Sequence, residues 1–127
     1  MLEDYTWLYR GVPVESVEVA DVYACGEIRP PRAELTGDYW REIHMAGDTQ
    51  TGYLSWTTDR DIAEGYARDT SDNFDLSGQI VIFRVRAESI SVDRVFHGRE
   101  EDDEYLIQGT VTEVSISASA EEDEDDC

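Results

Sequence analysis

Apolar positions change period several times along the chain, and each change predicts a different element. Thr6 to Arg10 alternates, with Trp7 and Tyr9 on one side and Leu8 on the other, and Gly11 and Pro13 close this short predicted strand. From Val14 to Ala24 the positions of Val14, Val17, Ala20 and Ala24 approach helical spacing, and Gly26 is suited to end a short helix. Pro30 and Pro31 interrupt, and Arg32 to Gln50 mixes polar and aromatic residues without a period, so an irregular stretch with one helical turn around Tyr39 to Met45 is expected. Tyr53 to Trp56 is a strand candidate. After it, Thr58 can cap a helix, Asp61 stands in capping-box position, and Ile62, Ala63, Tyr66 and Ala67 form one apolar face.

Asp69 to Gly78 is rich in turn-forming residues and reads as a polar loop, whereas Gln79 to Ala87 is the strongest strand signal in the chain. Ser91 to Val95 reads as an edge strand, and His97-Gly98-Arg99 opens a loop into the acids Glu100 to Glu104. Tyr105 to Gln108 and Val111 to Ile116 then form two further strands around Gly109. About five or six strands with few short helices predict a small α+β domain, because a doubly wound parallel sheet needs more helices. The length of 127 residues fits one domain, expected to cover residues 1–119, and the run Glu121 to Asp126 marks residues 120–127 as an acidic disordered tail.

Charge narrows the classes of function. Thirty Asp and Glu face ten basic residues, all of them Arg, for a formal net charge of -20. Such a surface repels phosphate, so nucleic acid and anionic membranes are poor partners. Adaptation to high salt and simple solubility explain the acidity better than mimicry of DNA. Cys25 and Cys127 do not make a disulfide framework, a reducing compartment fits, and Cys25 is expected to be a small buried residue. The N-terminus lacks a signal-peptide pattern and no window reaches transmembrane length, which together predict a cytoplasmic protein. His44 and His97 are not at metal-ligand spacing with each other or with the cysteines, and no calcium-loop pattern is present, so no metal is expected.

Three separated segments carry candidate chemistry: Leu8-Tyr9-Arg10-Gly11, Gly52-Tyr53-Leu54-Ser55-Trp56-Thr57-Thr58 ahead of the predicted helix, and Asp102-Asp103-Glu104-Tyr105-Leu106-Ile107 with Gly109. In this order and context they resemble the arginine–serine–glutamate signature of ADP-ribosyltransferases. The resemblance runs from Tyr9 to Gly109 and implies a split, mostly antiparallel or mixed sheet with NAD, as substrate, held between its halves. It also implies mono-ADP-ribosyl transfer to a macromolecular acceptor, a protein foremost, with release of nicotinamide. Breaking the nicotinamide–ribose bond builds oxocarbenium-like positive charge on the sugar, which a fixed carboxylate stabilises. By the resemblance Glu104 is that carboxylate and Ser55 orients it. Arg10 is suited to grip phosphate or ribose oxygens with its planar fork. Tyr9, Gly11, Thr57 and Tyr66 are further NAD-site candidates, and Trp56 is a candidate for the nicotinamide pocket.

Transferases that modify arginine generally carry Glu-x-Glu, whose upstream acid receives the acceptor proton; this chain has Asp102 there, two residues before Glu104, shorter by one methylene but able to accept a proton and so a catalytic candidate by the resemblance. The acceptor therefore stays open, as does plain NAD hydrolysis. An RNA 2′-phosphotransferase on the same fold would need a basic track that this chain lacks. A non-enzymatic alternative is an acidic protein that binds or inhibits a basic partner, in which Arg10 is a salt-bridge residue and Glu104 part of a solvated charge run. A toxin, a phage-encoded modifier and a regulatory enzyme all fit a short transferase chain. The excess charge predicts a melting temperature, followed by circular dichroism, that is higher in molar salt than at low ionic strength. A salt-independent melting temperature would show that charge repulsion does not load this fold.

Overall fold

A computed structural model describes residues 7–117, so Thr6, the boundary at Ser119, the acidic tail and Cys127 lie outside the described residues. The first strand, β1 (Trp7–Pro13), continues through Gly11 to the proline that ends it. Helix α1 (Val17–Cys25) starts later than its apolar spacing suggests, because Ser16 caps it by accepting from the Glu18 amide at 3.1 Å. Gly26, left-handed at φ 67°, closes it as expected. Cys25 is exposed at its end, not buried.

The stretch expected to be irregular holds a full helix, α2 (Asp38–Met45). Its anchors are polar and tertiary, which hides them from a reading of apolar period. Arg41 lies 3.9 Å over the Phe96 ring and donates at 2.8 Å to the Tyr53 hydroxyl, which also accepts from the Gly37 amide at 2.7 Å. Next come β2 (Tyr53–Thr57) and helix α3 (Arg60–Asn73). The cap of α3 is Asp59 and not Thr58, its carboxylate accepting from the Asp61 amide at 2.9 Å. The helix runs five residues into the supposed polar loop, because its buried stripe Ala63, Ala67, Ser71 keeps a four-residue step but ends on a serine. Ser71 satisfies its hydroxyl by accepting from the Gly78 amide at 2.9 Å.

Strand β3 (Ile80–Arg86) matches the strongest predicted run. Residues Val92–Arg94 make a 3-10 turn, so the edge strand falls later than predicted, at β4 (Val95–His97). Strand β5 (Glu104–Gln108) begins at Glu104 itself, and the last predicted strand shrinks to β6 (Ser115–Ile116), with Val111 bridged alone to Ile28.

The six strands form one sheet in the order β4-β5-β2-β1-β3-β6, a small α+β fold. Every pairing is antiparallel, so the parallel component of a mixed sheet does not occur among the described residues. β1 pairs with β3 in register from Trp7↔Arg86 to Pro13↔Ile80, and β2 with β5 from Tyr53↔Gln108 to Thr57↔Glu104. Between these two ladders Tyr9↔Thr57 is the one register pair. The sheet therefore parts along the β1–β2 seam into two three-stranded halves.

One face carries the core: Leu8, Val12, Leu54, Trp56, Phe83 and Val85 pack with Val22 of α1. On the other face α3 lies against β1 and β3 so closely that a Cβ at Gly11 would stand 2.0 Å from the Ala63 carbonyl oxygen. Among the described residues no helix is long and apolar enough to cross a membrane. Gly11→Ala should lower the unfolding free energy by about 1–3 kcal/mol through overpacking, measured by chemical denaturation. Gly65→Ala, on α3 with nothing within 4 Å of its added Cβ, should instead raise it by about 0.5–1 kcal/mol.

Candidate active site

The parting of the sheet creates the site. Continued in register from Tyr9↔Thr57, Gly11 would face Ser55, but the strands diverge there. Arg10 fills the gap: its Nη1 donates to the Ser55 carbonyl at 3.0 Å. The rest of its fork is taken by Glu18 of α1, at 2.8 Å from Nε and 2.7 Å from Nη2. Burial alone would lower the Arg10 pKa, but the charge and hydrogen bonds of Glu18 outweigh it and hold the guanidinium above its ordinary value. A bidentate pair of this kind is what makes a half-buried arginine tolerable.

Strand register delivers the second pair. Thr57 stands opposite Glu104 and Ser55 opposite Leu106, so Ser55 and Glu104 are diagonal neighbours on one face. The Ser55 hydroxyl donates to Glu104 Oε2 at 2.6 Å, and the Arg99 amide donates to Oε1 at 2.9 Å. Both carboxylate oxygens are thereby fixed in a side chain only 6% exposed. The loop before β5 is shaped around it. Asp103 turns left-handed at φ 47°, and a Cβ at Gly98 would stand 2.7 Å from the Glu104 carboxyl carbon. Behind Ser55 lies His44 of α2, with Nε2 3.0 Å from Ser55 Oγ and Nδ1 2.7 Å from Thr51 Oγ1. Burial pushes the His44 pKa below its ordinary value, with the Glu104 charge opposing in part.

All nine residues singled out from sequence line one cleft of about 880 Å³. The volume lies within the usual range for small-molecule sites. Ser55 and Glu104 touch directly, Arg10 reaches Ser55 through its carbonyl, and Asp102 is tied in through Tyr66. Tyr9 and Gly11 form the β1 wall of the cleft, with Gly11 held under α3. Thr57 uses its hydroxyl on backbone, donating to the Asp102 carbonyl at 2.8 Å and accepting from the Asp59 amide at 3.1 Å, so it ties the acidic loop to the start of α3. Tyr66 is 40% exposed, and its hydroxyl accepts from Arg99 Nη1 at 2.9 Å and donates to Asp102 Oδ2 at 3.4 Å. Burial raises its pKa, against a smaller opposing influence of Arg99. Trp56 also lines the cleft, and its buried Nε1–H has no partner among the described residues.

Sequence reasoning missed four participants: Glu18, His44, Thr51 and Arg99. His44 sits in the stretch without period, and Glu18 reads as one acid among thirty. Arg99 follows His97-Gly98, where Gly98 gave a faint signal of a tight loop. Among the described residues no three His, Cys, Asp or Glu side chains converge as a metal site requires. Comparisons with protein-family models, with curated proteins and with solved structures give no match to this chain.

Because His44 is held neutral by burial, its contribution to stability is complete above its unfolded pKa of about 6.5 and is lost as pH falls through the depressed folded value. Chemical denaturation from pH 8 to pH 5 should therefore show a smaller loss of stability in His44→Gln than in the wild type. Equal slopes would mean that His44 does not titrate differently in the folded chain.

Proposed function

We propose that this chain is an arginine–serine–glutamate ADP-ribosyltransferase that cleaves NAD and transfers ADP-ribose to a macromolecular acceptor. The observation that carries the reading is the Glu104 carboxylate, held by Ser55 Oγ at 2.6 Å and the Arg99 amide at 2.9 Å on the wall of a cleft that Arg10 also lines. As the nicotinamide–ribose bond breaks, its electron pair leaves with nicotinamide and positive charge grows on the sugar. A carboxylate already held in place stabilises that charge without reorganising. A nucleophile of the acceptor then attacks the sugar carbon, and water in its place gives NAD hydrolysis.

The remaining groups fit parts of the same substrate. Arg10 keeps two of its five N–H bonds free of the contacts described, enough to meet a phosphate or ribose oxygen. Tyr66 and Tyr9 supply ring surface, whereas Trp56, 1% exposed, backs the cleft from the core. In this reading Asp102, linked to Tyr66, is the group that would take up the acceptor's proton.

Nicotinamide release from NAD tests the proposal, with and without cell lysate, at low and molar salt. Glu104→Gln should lower the rate about a hundredfold or more, equivalent to roughly 2.7 kcal/mol of transition-state stabilisation. Ser55→Ala should lower it by about tenfold, the worth of one charge-assisted hydrogen bond. A labelled lysate band marks a transferase, and free ADP-ribose as the main product marks a hydrolase. A folded protein that neither binds nor cleaves NAD in any condition would sink the enzymatic reading in favour of an acidic binding protein.

A further inference from the structure

This inference rests on the reading of Ser55 and Glu104 as an NAD-cleaving pair, and it adds a residue that the reading does not require. His44 is 4% exposed at the last turn of α2, with both ring nitrogens within hydrogen-bond distance of hydroxyls. The proton inventory around the neutral ring leaves one arrangement. Ionised Glu104 only accepts, so the Ser55 hydroxyl hydrogen points to Oε2 across 2.6 Å. Ser55 Oγ then has only lone pairs for His44, and Nε2 must carry the hydrogen. Nδ1 is left as an acceptor, served by the Thr51 hydroxyl, which itself accepts from the Tyr53 amide at 3.1 Å.

The bonds run in one sense: Tyr53 N–H to Thr51, Thr51 to His44, His44 to Ser55, and Ser55 to Glu104. Aligned bonds of this kind polarise one another in a dry interior. Both ends are anchored in β2 or its ladder partner β5, and the middle is supplied by α2. We propose that His44 is a positioning residue of NAD cleavage, which as the neutral Nε2–H tautomer fixes the Ser55 hydroxyl on Glu104 and switches the site off when it is protonated.

Protonation would make Nδ1 a donor facing the Thr51 hydroxyl, breaking the run at that link. It would also set a cation behind Ser55, in a site whose reaction builds positive charge on the ribose. The charged groups around the ring pull in both directions. Glu104 on β5 and Asp48 after α2 favour the imidazolium, whereas burial, Arg10 on β1 and Arg99 before β5 favour the neutral ring. Burial is the largest of these influences, so the neutral form is the resting state.

The test uses the full chain with His44→Gln and His44→Leu, reading nicotinamide release between pH 5 and pH 9. A Gln amide can donate to Ser55 without titrating, and Leu can do neither. His44→Leu should lower kcat by about tenfold or more with KM for NAD changed less than about threefold. His44→Gln should recover most of kcat at pH 8 and lose the acid-side fall that the wild type shows. A merely structural histidine would not move that limb of the profile. Unchanged kcat in His44→Leu, or a wild-type acid limb in His44→Gln, overturns the proposal, and where Leu fails to fold the Gln profile decides alone.

Nitrogen NMR of the imidazole at neutral pH separates the two layers of the argument. Wild type that releases nicotinamide with the Nδ1–H tautomer sinks this inference and leaves the NAD reading standing. Wild type that releases none, with Nε2–H in place, sinks the NAD reading and the positioning role together.

Discussion

The structure turns on the guanidinium of Arg10, which bridges the place where the sheet comes apart. An antiparallel sheet that splits leaves backbone groups along the seam without ladder partners, and a buried carbonyl without a donor is costly. Here the Ser55 carbonyl is met by a side chain instead of a strand, and the guanidinium is in turn balanced by Glu18 of α1. The ion pair thereby couples the first helix to both halves of the sheet.

Around Glu104 the first contacts are neutral donors, a serine hydroxyl and a backbone amide, and not a cation. Arg99 contributes its amide to the carboxylate while its guanidinium turns away to Tyr66 and the Met45 carbonyl. That division leaves the negative charge of Glu104 fixed in position yet not cancelled by a direct ion pair. A fixed, uncompensated carboxylate in a partly dry cleft is suited to stabilise a cation that develops during reaction. His44, kept neutral by burial, extends the same logic one residue deeper.

The absence of lysine has a structural counterpart. Arginine forks and faces carry the polar tertiary contacts: Arg41 over Phe96, Arg84 over Trp7, Arg94 on the Gln108 carbonyl at 2.8 Å, and Arg10 at the seam. A planar, weakly hydrated guanidinium packs on rings and makes several directed bonds at once, which an ammonium does not. Several of the few cations of this acidic chain are thus committed to holding elements together.

What the sequence determined was whatever depends on local pattern: the α+β class, the strands at β1, β2, β3 and β5, the glycine that ends α1, and the membership of the cleft, since all nine singled-out residues line it. Alternation and turn chemistry are local, so one chain suffices to read them. The tertiary structure alone decided the rest. The helix α2 hangs on Arg41, Tyr53 and Phe96, which lie far apart in sequence, and the end of α3 is held by Ser71 against Gly78 rather than by an apolar period. The partnership of Arg10 with Glu18 and the line from Thr51 through His44 to Ser55 were invisible for the same reason. Hydrogen-bonded polar contacts leave no periodic trace, and only the register of β2 on β5 and the parting of β1 from β2 bring those residues within reach of each other.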